Sequence, residues 1–338
     1  RKWVILGNVT IVVLLLVLLE FSCFLMLGMP RRFSKEFKVP DLKPDHPAAH
    51  MGIVPHASTV MRKHKVVNGD TVFKVGYTID EFNRRVTPGY DSARSKYCLW
   101  FGCSVGFGFG LEDNQTLAYH FQEKTDQFNS YNYCYSGWGT NHMLARLEYH
   151  DFEQEVVEKD GMAIYVLVGA HVRRNIGDMN IYNLWGHTMP YYDYAENGKI
   201  KRFGNFHTGR PKTNWLYRLL FRSYTLKYFK ILVPISLSTA HLELTADMVV
   251  RARDVYREKM GNDNFYVLFH PSTWVELTKE NKDELVELLE ARGIRFFEHS
   301  ETIELDKPHR LKGDPHPNER TYKEVADLLM RDLKLSRP

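Results

Sequence analysis

The chain has 338 residues, of which 44% are hydrophobic and 25% charged, and its formal net charge is +4. This size suffices for one sizeable core, and so mild a charge gives no indication of nucleic-acid binding. Three cysteines lie outside the N-terminal apolar stretch and do not make a disulfide framework, so we expect buried free thiols. No Cys/His cluster has zinc-ligand spacing, and we expect neither a metal nor a cofactor.

Residues 3–29 are almost purely apolar and contain one charged residue, Glu20. A bilayer core requires about 20 apolar residues in a helix, so residues 1–29 are predicted to be a single transmembrane anchor. A cleaved signal peptide is the alternative, which the length of the stretch and the lack of a small-x-small cleavage site disfavour. A carboxylate within a span is costly, so Glu20 is expected to face either a membrane protein partner or the membrane interface.

Basic residues flank the span on both sides, and more of them follow it than precede it. By itself this count favours a globular part on the cytoplasmic side. Because the sequence does not begin with Met, we give the count little weight. We expect the globular domain on the extracytoplasmic side.

The segment 30–60 is rich in Pro, His and charge, which is typical of an extended linker. In 61–95, Asn68-Gly69 lies between β-rich flanks and predicts a hairpin at the edge of the main domain. From residue 96 to 338, short apolar runs alternate with helical patterns, which predicts a parallel sheet with helices on both faces. The predicted strands are KYCLWFGC, NSYNYCYS, MAIYVLVGA, NFYVLFHP and GIRFFEHS.

An aromatic and basic insertion at about 171–240 interrupts this alternation. PYYDYAENGKIKRF predicts a second hairpin, and WLYRLLFRSYTLKYFK predicts one basic amphipathic helix. From Lys199 to Lys230 there are nine Lys/Arg and no Asp/Glu, which favours contact with anionic lipid head groups or an acidic glycan. A helix packed on the sheet with a solvated basic rim explains the same pattern.

Candidate catalytic residues follow the predicted strands. Ser104 follows the first, Gly137 the second and His171 the third, and Asp314 and His316 follow the last. Ligands of an open parallel sheet bind beyond the carboxyl ends of the strands, so these residues are expected to meet. A serine nucleophile needs a base, a group that orients the base and donors for the oxyanion. The sequence offers Ser104 as nucleophile, His316 as base and Asp314 as its orienting acceptor.

In this order the segments resemble the blocks of the SGNH (GDSL-like) hydrolase family. FGCSVGFGFG resembles the serine block and matches Ser104 to the nucleophile, and YSGWGTNHML resembles the glycine block and matches Gly137. VLVGAHVRR lies at the asparagine block, where His171 takes the Asn position. GDPHPNERTY resembles the C-terminal block and matches Asp314 and His316.

The resemblance covers about residues 95–335 and implies a flavodoxin-like three-layer α/β/α domain with serine esterase activity. It implies an oxyanion hole made by the N–H groups of Ser104 and Gly137 and the side chain of His171. With its single span, the chain is similar to membrane-anchored bacterial members, which implies an ester-bearing envelope glycan or lipid as substrate. Trp138 and Asn175 are the expected substrate contacts.

Three positions depart from the family's pattern. Cys103 replaces the Asp of the namesake motif, His171 replaces Asn, and one residue separates Asp314 from His316 where two are commoner. These departures leave open a catalytically silent subunit of a membrane complex. An O-acyltransferase would use the same triad with an alcohol in place of water.

Structural readings of the same residues also stay open. Ser104 would serve as a turn residue that caps the following helix. The glycines lack the fingerprint of a nucleotide phosphate loop. His270 is either an alternative base or a structural histidine. Four aromatic residues either stack on sugars or form the insertion's own core: Trp138, Trp185, Tyr191 and Tyr192.

Overall fold

The computed structural model describes residues 2–28, 47–271 and 276–335. In chain order the strands are β1 (Thr59–Val67), β2 (Asp70–Ile79), β3 (Lys96–Gly102), β4 (Phe128–Asn132), β5 (Asp160–Leu167), β6 (Pro190–Tyr194), β7 (Ile200–Asn205), β8 (Phe265–Phe269) and β9 (Arg295–Glu298). The helices are α1 (Lys2–Leu27), α2 (Ser104–Phe107), α3 (Leu117–Glu123), α4 (Thr140–Tyr149), α5 (Ala170–Ile176), α6 (Met179–Ile181), α7 (Phe206–Gly209), α8 (Pro211–Leu220), α9 (Tyr224–Tyr228), α10 (Thr239–Met260), α11 (Lys279–Ala291) and α12 (Glu319–Asp332).

Helix α1 is one continuous and almost entirely apolar helix of 26 residues. Among the described residues it alone is long and apolar enough to cross a membrane. At 1.5 Å per residue its length is roughly 39 Å, more than the hydrocarbon core of about 30 Å. These properties fit a membrane anchor and equally a signal sequence.

The predicted linker, 30–60, lies outside the described residues up to residue 46. From Pro47 the chain packs against the globular domain, and Met51 and Val54 are buried in its core. The ring of His50 stacks on Tyr149 with centroids 3.9 Å apart. Apolar side chains thus hold this part of the segment on the domain, which corrects the expectation of an extended connection there.

A hairpin of β1 and β2 follows, as the Asn68-Gly69 dipeptide predicts. Both turn residues have positive φ, 50° at Asn68 and 88° at Gly69, which suits the twist of a two-residue hairpin turn. The inner end of the hairpin lies against the glycine-rich loop after β3, where the Tyr77 hydroxyl accepts a hydrogen bond from the amide of Gly110 at 2.9 Å.

The main sheet has five parallel strands in the order β4-β3-β5-β8-β9. Counted within this sheet alone the order is 2-1-3-4-5, which is the flavodoxin-like order, and the strand order reverses between β3 and β5. The predicted α/β class with a parallel sheet is therefore confirmed. Such a reversal opens a crevice at the carboxyl ends of the strands. Ser104 lies at this end of the sheet because it follows β3 closely.

Alternate residues of β3 enter two separate cores, because successive side chains of a strand point to opposite faces. Tyr97, Leu99 and Phe101 pack with α4, α10 and α11 on one face. Cys98 and Trp100 pack with α3 and α12 on the other face. Helices therefore cover both faces of the sheet, which makes the domain a three-layer α/β/α structure.

The insertion has its own small core. The hairpin of β6 and β7 packs with α6 to α8 around buried residues that include Met179, Met189 and Phe206. The basic segment forms two helices, α8 and α9, rather than the single predicted helix. The break occurs because the Ser223 hydroxyl accepts a hydrogen bond from the Leu226 amide at 3.2 Å and starts a new helix there.

Candidate active site

Ser104 lies at the start of a tight turn directly after β3. Cys103 has extended backbone, Ser104 is the first residue of the one-turn helix α2, and Gly108 ends that helix with φ of 80°. The turn closes against the end of β4, where a Cβ on Gly106 would come within 2.5 Å of the Cys134 sulfur. The glycine at 106 is therefore required for this close approach, and Ser104 is left half-buried at the edge of the sheet.

Hydrogen bonds join Ser104, His316 and Asp314 in one line. The Ser104 Oγ lies 2.8 Å from His316 Nε2, and His316 Nδ1 lies 2.6 Å from Asp314 Oδ1. Because a carboxylate only accepts, Nδ1 carries the ring proton and Nε2 accepts from the serine hydroxyl. The structure thus brings together the three residues that the sequence placed after the first and last strands.

The short Asp-x-His spacing suits this arrangement. Asp314 Oδ1 accepts from the His316 ring and also from the His316 main-chain N–H, at 2.9 Å. A carboxylate that accepts from the amide two residues later forms a local turn, and that turn folds the imidazole back onto it. One intervening residue is therefore enough to hold the ring.

Lys65 completes the surroundings of Asp314 and was not foreseen from the sequence. Its Nζ lies 2.5 Å from Asp314 Oδ2, the oxygen that His316 leaves unused. The Asp314 side chain is only 3% exposed. Burial alone would favour the protonated carboxyl, but the hydrogen bonds from His316 and Lys65 outweigh it and hold the pKa of Asp314 well below its ordinary value.

Arg85 holds the glycine-rich loop after β3 in place, and the sequence did not identify it as part of the site. Its guanidinium, 1% exposed, donates to the carbonyl oxygens of Phe107 and Gly108 at 2.6 and 2.8 Å and to that of Leu111 at 2.6 Å. Asp113 compensates the charge, with its Oδ1 at 2.9 Å from Nε. One buried side chain therefore sets the course of the loop that carries Ser104.

Gly137 follows β4 in a left-handed conformation, with φ of 85°. The segment between β4 and Gly137 lies next to the end of β3, where the Tyr135 amide donates to the Gly102 carbonyl at 3.2 Å. A Cβ at position 137 would lie 2.9 Å from the indole of Trp185, so this indole covers the glycine. Among the described residues, neither the Gly137 amide nor the Ser104 amide has a hydrogen-bond acceptor.

His171 is completely buried at the start of α5. Its Nδ1 lies 2.7 Å from the Tyr165 hydroxyl, which also contacts the Thr140 hydroxyl at 2.8 Å. Its Nε2 has no hydrogen-bond partner within the described chain. Burial, with Arg174 nearby, holds the pKa of His171 well below its usual range, so the ring is neutral.

Trp138 and Asn175 lie inside the protein and not on an open surface. Trp138 is 3% exposed, stacks on His142 and donates its indole N–H to the Ile53 carbonyl at 2.8 Å. The Asn175 amide donates to the hydroxyls of Thr140 and Thr245, at 2.9 and 3.1 Å. Their polar atoms are used in packing contacts, so the substrate contacts predicted for both are corrected to structural roles.

The remaining histidine and cysteine candidates are also internal. His270 is fully buried, and burial lowers its pKa to about 3. The histidine ring that contacts the Ser104 hydroxyl is that of His316, at 2.8 Å. Cys103 is 1% exposed and packs in the core beside the serine. All four cysteines of the described chain are free and buried. In the same part of the chain, no group of three His, Cys, Asp or Glu is placed to hold a metal ion.

Comparison with known proteins finds no matching family model and no matching curated protein. Among solved structures, TesA is 13% identical over 71% of this chain and 98% of its own, with a TM-score of 0.41. A member of the lipolytic protein G-D-S-L family from Veillonella parvula DSM 2008 is 12% identical over 71% and 98%, with a TM-score of 0.36. Est24, a carbohydrate acetylesterase from Sinorhizobium meliloti, is 11% identical over 71% and 98%, with a TM-score of 0.40.

Proposed function

We propose that this protein is a serine esterase that is anchored in a membrane by α1. The observation that carries the proposal is the continuous hydrogen-bonded line from Ser104 through His316 to Asp314, at 2.8 and 2.6 Å. A nucleophile, a base and an orienting carboxylate in this order are what acyl transfer requires. The substrate class is an ester of a glycan or a lipid.

In the proposed reaction, the Ser104 hydroxyl gives its proton to His316 Nε2 while its oxygen forms a bond to the ester carbonyl carbon. The tetrahedral oxyanion collapses, the carbon–alkoxy bond breaks, and His316 returns the proton to the leaving alcohol. Water then attacks the acyl-serine with His316 as base again, which releases the carboxylic acid and restores Ser104. Asp314 stays ionised throughout and stabilises the imidazolium.

Two backbone amides and one ring are the proposed oxyanion donors. The amides of Ser104 and Gly137 have no acceptor of their own among the described residues, so both are available. His171 is neutral, and its unpartnered Nε2 donates if the Tyr165 hydroxyl gives its proton to Nδ1. Preorganised donors of this kind typically account for a large share of the rate enhancement in acyl transfer.

Contacts between α1 and the globular domain support retention of α1 as an anchor. The Glu20 carboxylate accepts hydrogen bonds from the Ser223 hydroxyl at 2.9 Å and from the Thr225 amide at 3.1 Å. The rings of Phe24 and Tyr224 meet edge to face with centroids 4.9 Å apart. The protein partner predicted for Glu20 is therefore a helix of the same chain. A segment that is to be cleaved has no need of such contacts.

A fluorophosphonate probe tests the esterase proposal, because it phosphonylates only an activated serine. The full chain in detergent is expected to be labelled, and peptide mapping is expected to place the label on Ser104. Ser104→Ala should abolish labelling and reduce hydrolysis of a small acetyl ester by roughly 10⁴-fold or more. Ser92→Ala, which changes an exposed serine, is the matched control. A folded wild-type chain that resists the probe would contradict the proposal and favour a silent subunit.

A further inference from the structure

Helix α8 turns a row of large apolar side chains away from the protein. Trp215 is 65% exposed, Leu216 43% and Leu219 50%. Leu219 is four residues after Trp215 and three after Leu216, so it neighbours both on one side of the helix. Asn214 and Tyr217 lie on the opposite face and are buried against the insertion's core. Large apolar side chains therefore lie on the outer side of the helix, where water does not favour them.

The chain after α8 continues this surface. Tyr228 and Phe229, at the end of α9, are 39% and 56% exposed, and Ile235 is 78% exposed. Exposed basic residues alternate with these apolar residues along the chain, and the whole segment from 199 to 230 has no acidic residue. The basic residues from α8 onward are Lys212, Arg218, Arg222, Lys227 and Lys230. Apolar side chains ringed by cations are the pattern of a helix that lies in a lipid head-group layer.

The position of this surface is set by α1. Glu20 of α1 accepts hydrogen bonds from the first residues of α9, and Cys23, one turn further, is only 2% exposed. Glu20 lies seven residues before the end of α1 at Leu27, which is roughly 10 Å along the helix axis. A spanning α1 therefore holds α9 close to the depth at which hydrocarbon gives way to head groups.

We propose that the outer face of α8 and α9, defined by Trp215, Leu216, Leu219, Tyr228 and Phe229, is seated in the anionic interface of the lipid bilayer that α1 spans. The face is continuous with α1, so a bilayer that surrounds the anchor necessarily reaches it. Its positive rim complements anionic lipid heads. A second protein would have to displace lipid from an apolar surface beside a spanning helix.

An apolar groove between α1 and helices α8 and α9 is also suited to lipid. It has a volume of about 860 Å³ and is lined by side chains that include Val13, Val17, Leu220 and Leu226. In a bilayer such a groove is filled by acyl chains. The inference rests on the proposed anchoring of the protein, and it adds that the globular domain is fixed to the membrane at two points and held in one orientation.

Nitroxide accessibility tests the inference on the full chain reconstituted in vesicles of phosphatidylcholine and phosphatidylglycerol. The four native cysteines are buried, so a label reports the introduced residue. Leu219→Cys probes the proposed surface, Val13→Cys probes α1, and Val157→Cys, at a 71% exposed position, is the aqueous control. Circular dichroism and thermal unfolding of each variant verify that the fold is intact, and fluorophosphonate labelling reports the esterase proposal separately.

The label at position 219 is expected to be reached by oxygen and shielded from a water-soluble nickel complex, with an oxygen-to-nickel ratio several-fold above that at 157. A ratio equal to that at 157, with 13 still shielded, overturns the inference and leaves the anchor in place. Shielding of 219 from both reagents indicates a protein cover and also overturns it. Access of nickel to position 13 contradicts the anchor and the inference together.

Discussion

Lys65 reaches from the first hairpin to the carboxylate that orients His316, although the two residues are 249 positions apart. The contact occupies Asp314 Oδ2, and Oδ1 is left to accept both hydrogen bonds from His316. In the proposed mechanism Lys65 is a positioning residue, since it touches neither the substrate nor the serine. Its effect is to keep Asp314 ionised in a site where burial opposes charge.

Replacing this lysine is expected to alter both stability and its dependence on pH. The folded-state pKa of Asp314 lies below the ordinary 3.8, so its stabilising contribution is present above that pH and is lost as pH falls through the lower, folded-state value. Lys65→Met removes one cause of the depression and should lower the melting temperature most near pH 7. The deficit should persist at pH 3.8 and shrink only as pH falls through the lower folded-state pKa values, where Asp314 becomes protonated in both folded proteins.

Thermal unfolding of the full chain in detergent, at neutral and acid pH, measures this difference. Lys63→Met changes an exposed lysine of the same strand and is the control. A deficit of the same size at both pH values would show that Lys65 acts through packing instead of through Asp314.

Gly137→Ala is expected to reduce kcat for ester hydrolysis without unfolding the protein. The substitution adds a Cβ in a left-handed conformation, where it meets the Trp185 indole at 2.9 Å and displaces the amide proposed to bind the oxyanion. Gly198→Ala is the matched control, since Gly198 also has positive φ, 73°, but has no atom within 4 Å of the added Cβ. Steady-state kinetics on a small acetyl ester measure the effect. If both variants keep the wild-type kcat, the role proposed for the Gly137 amide is wrong.

At the scale of elements, the strands were predictable because they are buried on both faces. A strand such as β5, buried from its second residue to its last, has to be a continuous apolar run, and such runs are visible in a sequence. Their carboxyl ends then place Ser104 and the Asp314–His316 pair on one edge of the sheet. The order of the blocks along the chain was therefore enough to bring the three candidate residues together.

Other elements depend on contacts that no local pattern contains. The single helix predicted across residues 215–230 is divided because Ser223 and Glu20, from opposite parts of the sequence, meet at the start of α9. Helix α10, which has 22 residues, was not predicted, although its buried side chains recur at helical spacing, as Leu242, Val249 and Tyr256 do. Lys65 and Arg85 were not identified because the docking of the hairpin and of the loop that follows it is decided by tertiary contacts.

Arg85→Ala is expected to be among the most damaging substitutions in the chain. It leaves three buried carbonyl groups and the Asp113 carboxylate without their donor, and breaking a buried charge pair typically costs roughly 3–5 kcal/mol. Urea unfolding of the full chain in detergent measures the loss, and fluorophosphonate labelling of Ser104 should fall with it. Arg62→Ala, at an exposed position of β1, should stay within about 0.5 kcal/mol of the wild type. An Arg85 variant as stable as the Arg62 variant would show that the loop holds its course unaided.

At the scale of the whole molecule, the Glu20 carboxylate is one of the groups that link α1 to the globular domain. Glu20→Ala removes the acceptor for the first amides of α9, and loss of such a cap typically costs about 1 kcal/mol. Thermal unfolding in detergent should show the loss, whereas Thr10→Ala, whose hydroxyl bonds only within α1, should not. Equal melting temperatures for the two variants would mean that α1 and the domain are coupled by ring contacts alone.

The hydrogen bond between Ser104 and His316 also determines when, during synthesis of the chain, the proposed triad can form. His316 lies 212 residues after Ser104, and a chain is synthesised from its N-terminus. A growing chain therefore carries the serine for most of its synthesis without the base that would activate it. Since α1 precedes Ser104 and His316 in the chain, the proposed anchor is available to the membrane before the proposed triad is complete. The proposed triad is therefore completed only after α1 and all five strands of the main sheet have been synthesised.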